Sequence, residues 1–300
     1  MSWHVLAQPA CVLGEGVIWS PTRQAVMFVD IHGQRILQYD LATKALREWH
    51  TPQRVGWLIP QHTGERFLAG LQDGFALIGL SDVGDACSLQ WLARPFGDAK
   101  GMRLNDAKAD AQGRVWAGSL NNDDESQPVG ALFCLTPDHQ LHTVDTGYCV
   151  ANGPAISATP GPNGHLFLHT DSARRTVYAF DLDAISGTLR NKRTWLVLAD
   201  DEGYPDGMNF DAQGHVWLAH WGAACVSQYS AQGELLQRFD LPTSNVTNVA
   251  FGGAGLDRLF VTTARAGLTD TQLAAQAHAG ALFEITGHGA TGLTPLPFKG

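Results

Sequence analysis

Asp110-Ala-Gln-Gly-Arg-Val-Trp-Ala-Gly118 is nearly repeated by Asp211-Ala-Gln-Gly-His-Val-Trp-Leu-Ala219. Weaker copies are Gln24-Ala-Val-Met-Phe-Val-Asp30, Thr63-Gly-Glu-Arg-Phe-Leu-Ala-Gly70, Pro162-Asn-Gly-His-Leu-Phe-Leu168 and Asp257-Arg-Leu-Phe-Val-Thr262. Aligning the large residue late in each copy gives Phe28, Leu68, Trp116, Phe167, Trp217 and Phe260, with gaps of 40, 48, 49, 50 and 43 residues. That period fits a four-stranded propeller blade. The copies are followed by strands of alternating apolar residues, such as Arg35-Ile-Leu-Gln-Tyr39 and Gly130-Ala-Leu-Phe-Cys134. Gln112-Gly113, Asn163-Gly164, Gln213-Gly214 and Gln232-Gly233 between strands supply residues that tolerate positive φ. The expected fold is therefore an all-β, six-bladed β-propeller of four-stranded antiparallel blades, one domain over residues 1–300. The Trp3–Ala7 strand is expected to close the ring beside the last blade, and Asp270–Gln276 to form the one short helix.

Composition agrees with short buried strands and tight turns. Of 300 residues, 33 are glycine, and charged residues make up only 16%, below the roughly 25% of ordinary soluble domains. The formal net charge of −9 and the absence of any Lys/Arg cluster exclude a nucleic-acid surface. No apolar run approaches the ~18–20 residues that span a bilayer. The start, Met1-Ser2-Trp3-His4-Val5, has neither a basic stretch nor an apolar one that would mark a secretory leader. Five cysteines without a CxxC pair read as reduced, mostly buried thiols, so a cytoplasmic protein is expected.

In a propeller the innermost strands surround a central channel, and the residues just ahead of each repeat face one mouth. Counting back from the aligned large residues lands on Glu15, Trp57, Asn105, Asn152, Asp206 and Asn248. Four of these lie in the polar motifs Leu-Gly-Glu-Gly, Arg-Leu-Asn-Asp, Ala-Asn-Gly-Pro and Pro-Asp-Gly-Met. Each motif alone also reads as a hairpin turn. Together, at one blade register, they put two carboxylates and two carboxamides in one pocket, where the carboxylates repel unless a cation or a shared proton sits between them. Oxygen ligands favour Ca²⁺, Mg²⁺ or Mn²⁺, with Zn²⁺ or Fe²⁺ admitted in a sparse, water-completed shell.

These motifs, with Tyr204-Pro-Asp-Gly-Met208, Leu218-Ala-His-Trp-Gly222, Phe251-Gly-Gly253 and Val261-Thr-Thr-Ala-Arg-Ala-Gly267, are the residues by which the chain resembles the senescence-marker/regucalcin and gluconolactonase family. The resemblance covers essentially the whole chain and looks closer to the bacterial sugar-lactonase branch. It implies one divalent metal on Glu15, Asn152 and Asp206, and substrate contacts from Arg103 and Asn105. A further acidic substrate contact falls near Asp123, in Asn121-Asn-Asp-Asp-Glu125, where a solvated acidic loop is the alternative.

The expected activity is hydrolysis of a sugar lactone to its open aldonic acid, with the small-molecule lactone as partner and neither nucleic acid nor membrane. Asp206 is the candidate general base, and Arg103 the group that orients substrate and offsets developing charge. Arg103 has an alternative as an ion-pair partner of Asp106 or Asp110. Trp57 and Trp221 are candidate faces for a sugar ring, with burial in the core as the alternative; His220 is a further candidate pocket residue. The rival functions are another ester or phosphotriester hydrolase on the same site, and a non-catalytic calcium-binding propeller. Gly287-His-Gly-Ala-Thr-Gly292 matches GxGxxG but has no room for a βαβ unit, and no GxSxG or HExxH occurs.

Overall fold

A computed structural model describes residues 2–300. Six antiparallel sheets of four strands surround a central axis, and within blades 1 to 5 the strands run in sequence order from the axis outward. The innermost strands are Gly14–Ser20, Val55–Pro60, Met102–Ala109, Ala151–Ile156, Tyr204–Phe210 and Val246–Gly252. The second strands are Ala25–Asp30, Phe67–Leu71, Val115–Asn121, His165–Asp171, Val216–Trp221 and Arg258–Thr263. Each second strand carries one of the six aligned large residues, all of them fully buried.

Ring closure follows the expectation. Blade 6 takes three strands from the end of the chain, and its fourth is Ser2–Ala7, paired antiparallel to Leu282–Thr286. That pairing covers the outer edge of Leu282–Thr286 and ties the two ends of the chain into one blade. The short helix is Asp270–Ala275, with Gln276 as its C-cap and Thr269 as an N-cap whose hydroxyl accepts from Gln272 N.

The Asp-Ala-Gln-Gly motif has a local cause. Asp211 Oδ1 accepts from the backbone N–H of Gln213 and of His215, both at 2.9 Å, which fixes the hairpin turn. Its Oδ2 accepts the indole N–H of Trp217 at 2.9 Å. Asp110 does the same in blade 3, capping Gln112 N and Arg114 N at 3.0 Å and taking the Trp116 indole at 3.1 Å. Each tryptophan then packs between neighbouring blades, Trp217 against Phe239 and Phe251, and Trp116 against Phe167. The core is thus a ring of apolar layers between blade faces, where burying each large side chain is worth about 1.5–3 kcal/mol. All five cysteines are free, and four are buried. No helix among the described residues is long and apolar enough to cross a membrane.

Past the last strand the chain turns beneath the ring. Gly292 N donates to Leu256 O at 2.7 Å, and Phe298 N donates to Pro60 O at 2.9 Å. The segment between these anchors crosses from blade 6 to blade 2, and Phe298 ends buried beside Trp57 and Leu68.

Candidate metal centre and substrate cavity

The six innermost strands share an irregularity near one end. Their register to the second strand shifts between Glu15 and Ile18, Val55 and Trp57, Leu104 and Ala107, Asn152 and Ala155, Pro205 and Met208, and Val246 and Asn248. Such a bulge interrupts the ladder and re-aims a side chain. In four blades the re-aimed oxygen takes up the next residue's N–H: Glu15 from Gly16 at 2.9 Å, Asp106 from Ala107 at 2.7 Å, Asn152 from Gly153 at 3.1 Å and Asn248 from Val249 at 2.8 Å. Gly16 and Gly153 hold φ of +54° and +60°, which explains the glycine after Glu15 and after Asn152, whereas at Gly207, after Asp206, a Cβ would run into the Asn248 side chain.

Glu15, Asn152 and Asp206 are brought together in the buried channel. Asn152 Nδ2 donates to Asp206 Oδ1 and, at 3.3 Å, to Ser172 Oγ, which donates in turn to Pro205 O at 2.7 Å. Asn248 Nδ2 donates to Glu15 Oε2 at 3.0 Å and to Asp106 Oδ2 at 3.2 Å. Asp106, adjacent to the expected Asn105, is therefore a third buried carboxylate of the cluster that counting back along the strands did not assign. The available signal was its place in Arg-Leu-Asn-Asp, the one motif with two candidates side by side.

Burial, then the charge of Asp106, pushes the Glu15 pKa up to about 7. Burial raises Asp106 to about 6 against the pull of Lys108. Asp206 is raised well above the ordinary carboxylate range by burial, then by Glu15 and Asp106, and its carboxyl is in hydrogen-bond contact with that of Glu15. Two carboxylates in such contact need one proton or one cation between them. That donor set, two carboxylates and a neutral amide, fits a hard divalent ion. No group of three or more His, Cys, Asp or Glu side chains placed to hold a metal is present among the described residues.

A cavity of about 430 Å³ opens above the cluster, lined by Glu15, Asn152 and Asp206 and by Arg103, Asn105, His32, Glu125, Tyr204 and Trp221. Arg103 is buried. Its Nε donates to Asn122 Oδ1 at 2.8 Å, and its Nη1 donates to Asn105 Oδ1 at 2.5 Å. It pairs with neither Asp106 nor Asp110, and Asp110 takes Arg114 instead at 2.6 Å. Burial lowers the Arg103 pKa to about 10, with Glu125 and Glu15 opposing. Asn105 Nδ2 donates to Ala151 O at 2.9 Å, so this side chain braces Arg103 as well as lining the cavity. His32 lines the same cavity, and partial burial, then Arg103, lowers its pKa. Nothing in the strand pattern singled it out.

Asp123 lies exposed and outside the lining, while Glu125, two residues on, faces Arg103 across the cavity. Trp221 lines the cavity; Trp57 is core, packed edge-on against Phe75. His220 is buried off the cavity, its Nδ1 on Glu202 O at 2.8 Å.

The family model described as SMP-30/Gluconolactonase/LRE-like region matches residues 13–265. A pentonolactonase from Haloferax volcanii is 35% identical over 256 residues, 85% of this chain and 82% of its own length. Regucalcin from Danio rerio is 31% identical over 297 residues, 96% of this chain and 95% of its own. Among solved structures, a luciferin-regenerating enzyme superposes with a TM-score of 0.92 at 28% identity, covering 99% of each chain.

Proposed function

Since the chain belongs to the SMP-30/gluconolactonase/LRE-like family, we propose that it hydrolyses a sugar lactone to the open aldonic acid with a divalent metal held by Glu15, Asn152 and Asp206. The observation that carries this reading is the hydrogen-bond contact between the buried carboxyls of Glu15 and Asp206 at the floor of a cavity lined by Arg103. The 35% identical pentonolactonase supports a lactone of sugar size, and about 430 Å³ accommodates one sugar ring.

When bound, the cation supplies Lewis acidity toward the lactone carbonyl and acidifies water. The Asp206 carboxylate is the general base: it takes the proton of the attacking water and returns it to the ring oxygen that leaves. Arg103 keeps Nη2 without a hydrogen bond among the described residues, so this nitrogen is available to substrate oxygens and to charge developing on the carbonyl. Asn105 and Asn122 hold the guanidinium plane. Glu125 and His32 line the cavity wall and offer polar groups to substrate hydroxyls. Trp221 offers an apolar face.

A pH-indicator assay over a panel of pentono- and hexonolactones, before and after chelation, tests the reading. Chelation should abolish hydrolysis, and metal return should restore it. Asp206→Ala should lose both turnover and the rise in Tm on metal addition. Turnover that survives in this variant defeats the mechanism, and absent turnover on every lactone in metal-loaded protein favours a binding role.

A further inference from the structure

The channel has a second mouth, and a second cavity of about 430 Å³ occupies it. Every blade contributes, at the opposite end of its innermost strand from the carboxylate cluster: Ile18, Ile59, Lys108, Ile156, Asn209 and Ala250 form the ring. Leu293 to Leu296 of the carboxy-terminal segment close it from below. No hydrogen bond holds residues 293–297 among the described residues, although both flanking anchors are bonded.

The walls are mostly aliphatic, with Trp19 and Phe251 beside them, and the ionisable groups at the edge other than Lys108 are already engaged. Asp110 holds Arg114 at 2.6 Å, and His165 Nδ1 lies 2.7 Å from Ser157 O. Lys108 differs. Its ammonium has no hydrogen bond and no ion pair among the described residues, and the charge acting on it is Asp106, which belongs to the cluster at the other mouth. Burial lowers its pKa, as for a cation drawn out of water without a partner. Asn209, two blades further round the ring, likewise makes no side-chain hydrogen bond among the described residues and adds a donor.

An aliphatic chamber with one unpaired cation selects a ligand that is apolar along its body and carries one negative charge. We propose that this second mouth binds a small monocarboxylate with an aliphatic body, its carboxylate on Lys108 and its chain against Ile18, Ile59, Ile156 and the carboxy-terminal segment. The site is separate from the lactone cavity and does not depend on the reading given for it.

The test is calorimetric titration of the metal-loaded protein with octanoate and with octan-1-ol, which share an alkyl chain and differ in charge. Octanoate should bind saturably and at least tenfold more tightly than the alcohol. Lys108→Met should erase that preference, and Lys108→Arg should retain it. Octanoate binding should persist in Asp206→Ala, because the carboxylate cluster is not its site. Equal affinity for acid and alcohol, unchanged octanoate affinity in Lys108→Met, loss of binding in Asp206→Ala, or no saturable binding would each overturn the proposal. If Lys108→Met fails to fold, the comparison of octanoate with octan-1-ol in the unaltered chain decides alone.

Discussion

Asn248 donates a hydrogen bond to Glu15 at 3.0 Å, joining the last blade to the first at the centre of the ring. The same nitrogen reaches Asp106 of blade 3 at 3.2 Å. A single amide therefore serves two buried carboxylates whose pKa values are already raised by burial. Asn248→Ala should leave both without this donor and lower the unfolding free energy of metal-free protein at pH 8 by about 1–3 kcal/mol. Asn248→Asp should cost more in metal-free protein, and metal should recover more of the loss. Urea denaturation with and without chelator measures both. Equal stability of Asn248→Ala and the unaltered chain would show that Asn248 does not support the cluster.

The carboxylates also set a pH dependence. A group whose folded pKa lies above its unfolded one stabilises the fold below the unfolded value, and that stability is lost as pH rises through the folded one. For Glu15 the window runs from about 4.5 to about 7. Buried His169, whose pKa falls to about 3, acts in the opposite sense below its unfolded value of 6.5, so the raw Tm profile mixes the two. The difference between Glu15→Gln and the unaltered chain isolates the carboxylate. In metal-free protein the variant should match the unaltered chain near pH 5 and exceed its stability by on the order of a few kcal/mol near pH 8. With metal present the order should reverse, because the cation then needs the ionised group. A pH-independent difference in metal-free protein would contradict the raised pKa.

Arg103 is held flat by Asn122 and Asn105, with Nη2 left to the cavity. Arg103→Lys keeps the charge and loses the fork. Lactone hydrolysis should fall about 100-fold in kcat/KM, mainly through kcat if the guanidinium acts on charge that develops during the reaction. A change confined to KM would make Arg103 a binding group alone.

The blade repeat was legible because each blade needs a large apolar side chain at the same depth, which places Phe28, Leu68, Trp116, Phe167, Trp217 and Phe260 on matching strands. The convergence of Glu15, Asn152 and Asp206 followed from the same register. Asp106 escaped because the bulge between Leu104 and Ala107 puts two candidate residues at one position, and counting along a strand cannot tell which turns inward. Glu125 escaped for a different reason. The loop after Asn121 is shaped by Asp124, which caps Ser126 N at 3.1 Å and binds Gln127 Nε2 at 2.9 Å, and those local bonds carry no periodic mark. His32 reaches the cavity from the turn after the second strand of blade 1, where strand alternation has ended.

The repeated tryptophans offer a test in which fold and function separate. Trp217 donates to Asp211, which still accepts from Gln213 N, His215 N and Gln228 Nε2 when the indole is removed. Trp116 donates to Asp110, which keeps its ion pair with Arg114. In each case the carboxylate remains partly satisfied, so the loss is one buried hydrogen bond plus imperfect filling of the space between blades. Trp217→Phe and Trp116→Phe should each lower the unfolding free energy by about 1–2 kcal/mol. The double variant should lose close to the sum, since the two side chains lie in different interblade layers. Lactone kcat/KM at 25 °C should stay within twofold of the unaltered chain, because neither tryptophan lines the substrate cavity. A fall in kcat/KM without a fall in stability would mean that these positions act on the site through the blades they join, and the repeat would then have to be read as part of the catalytic apparatus.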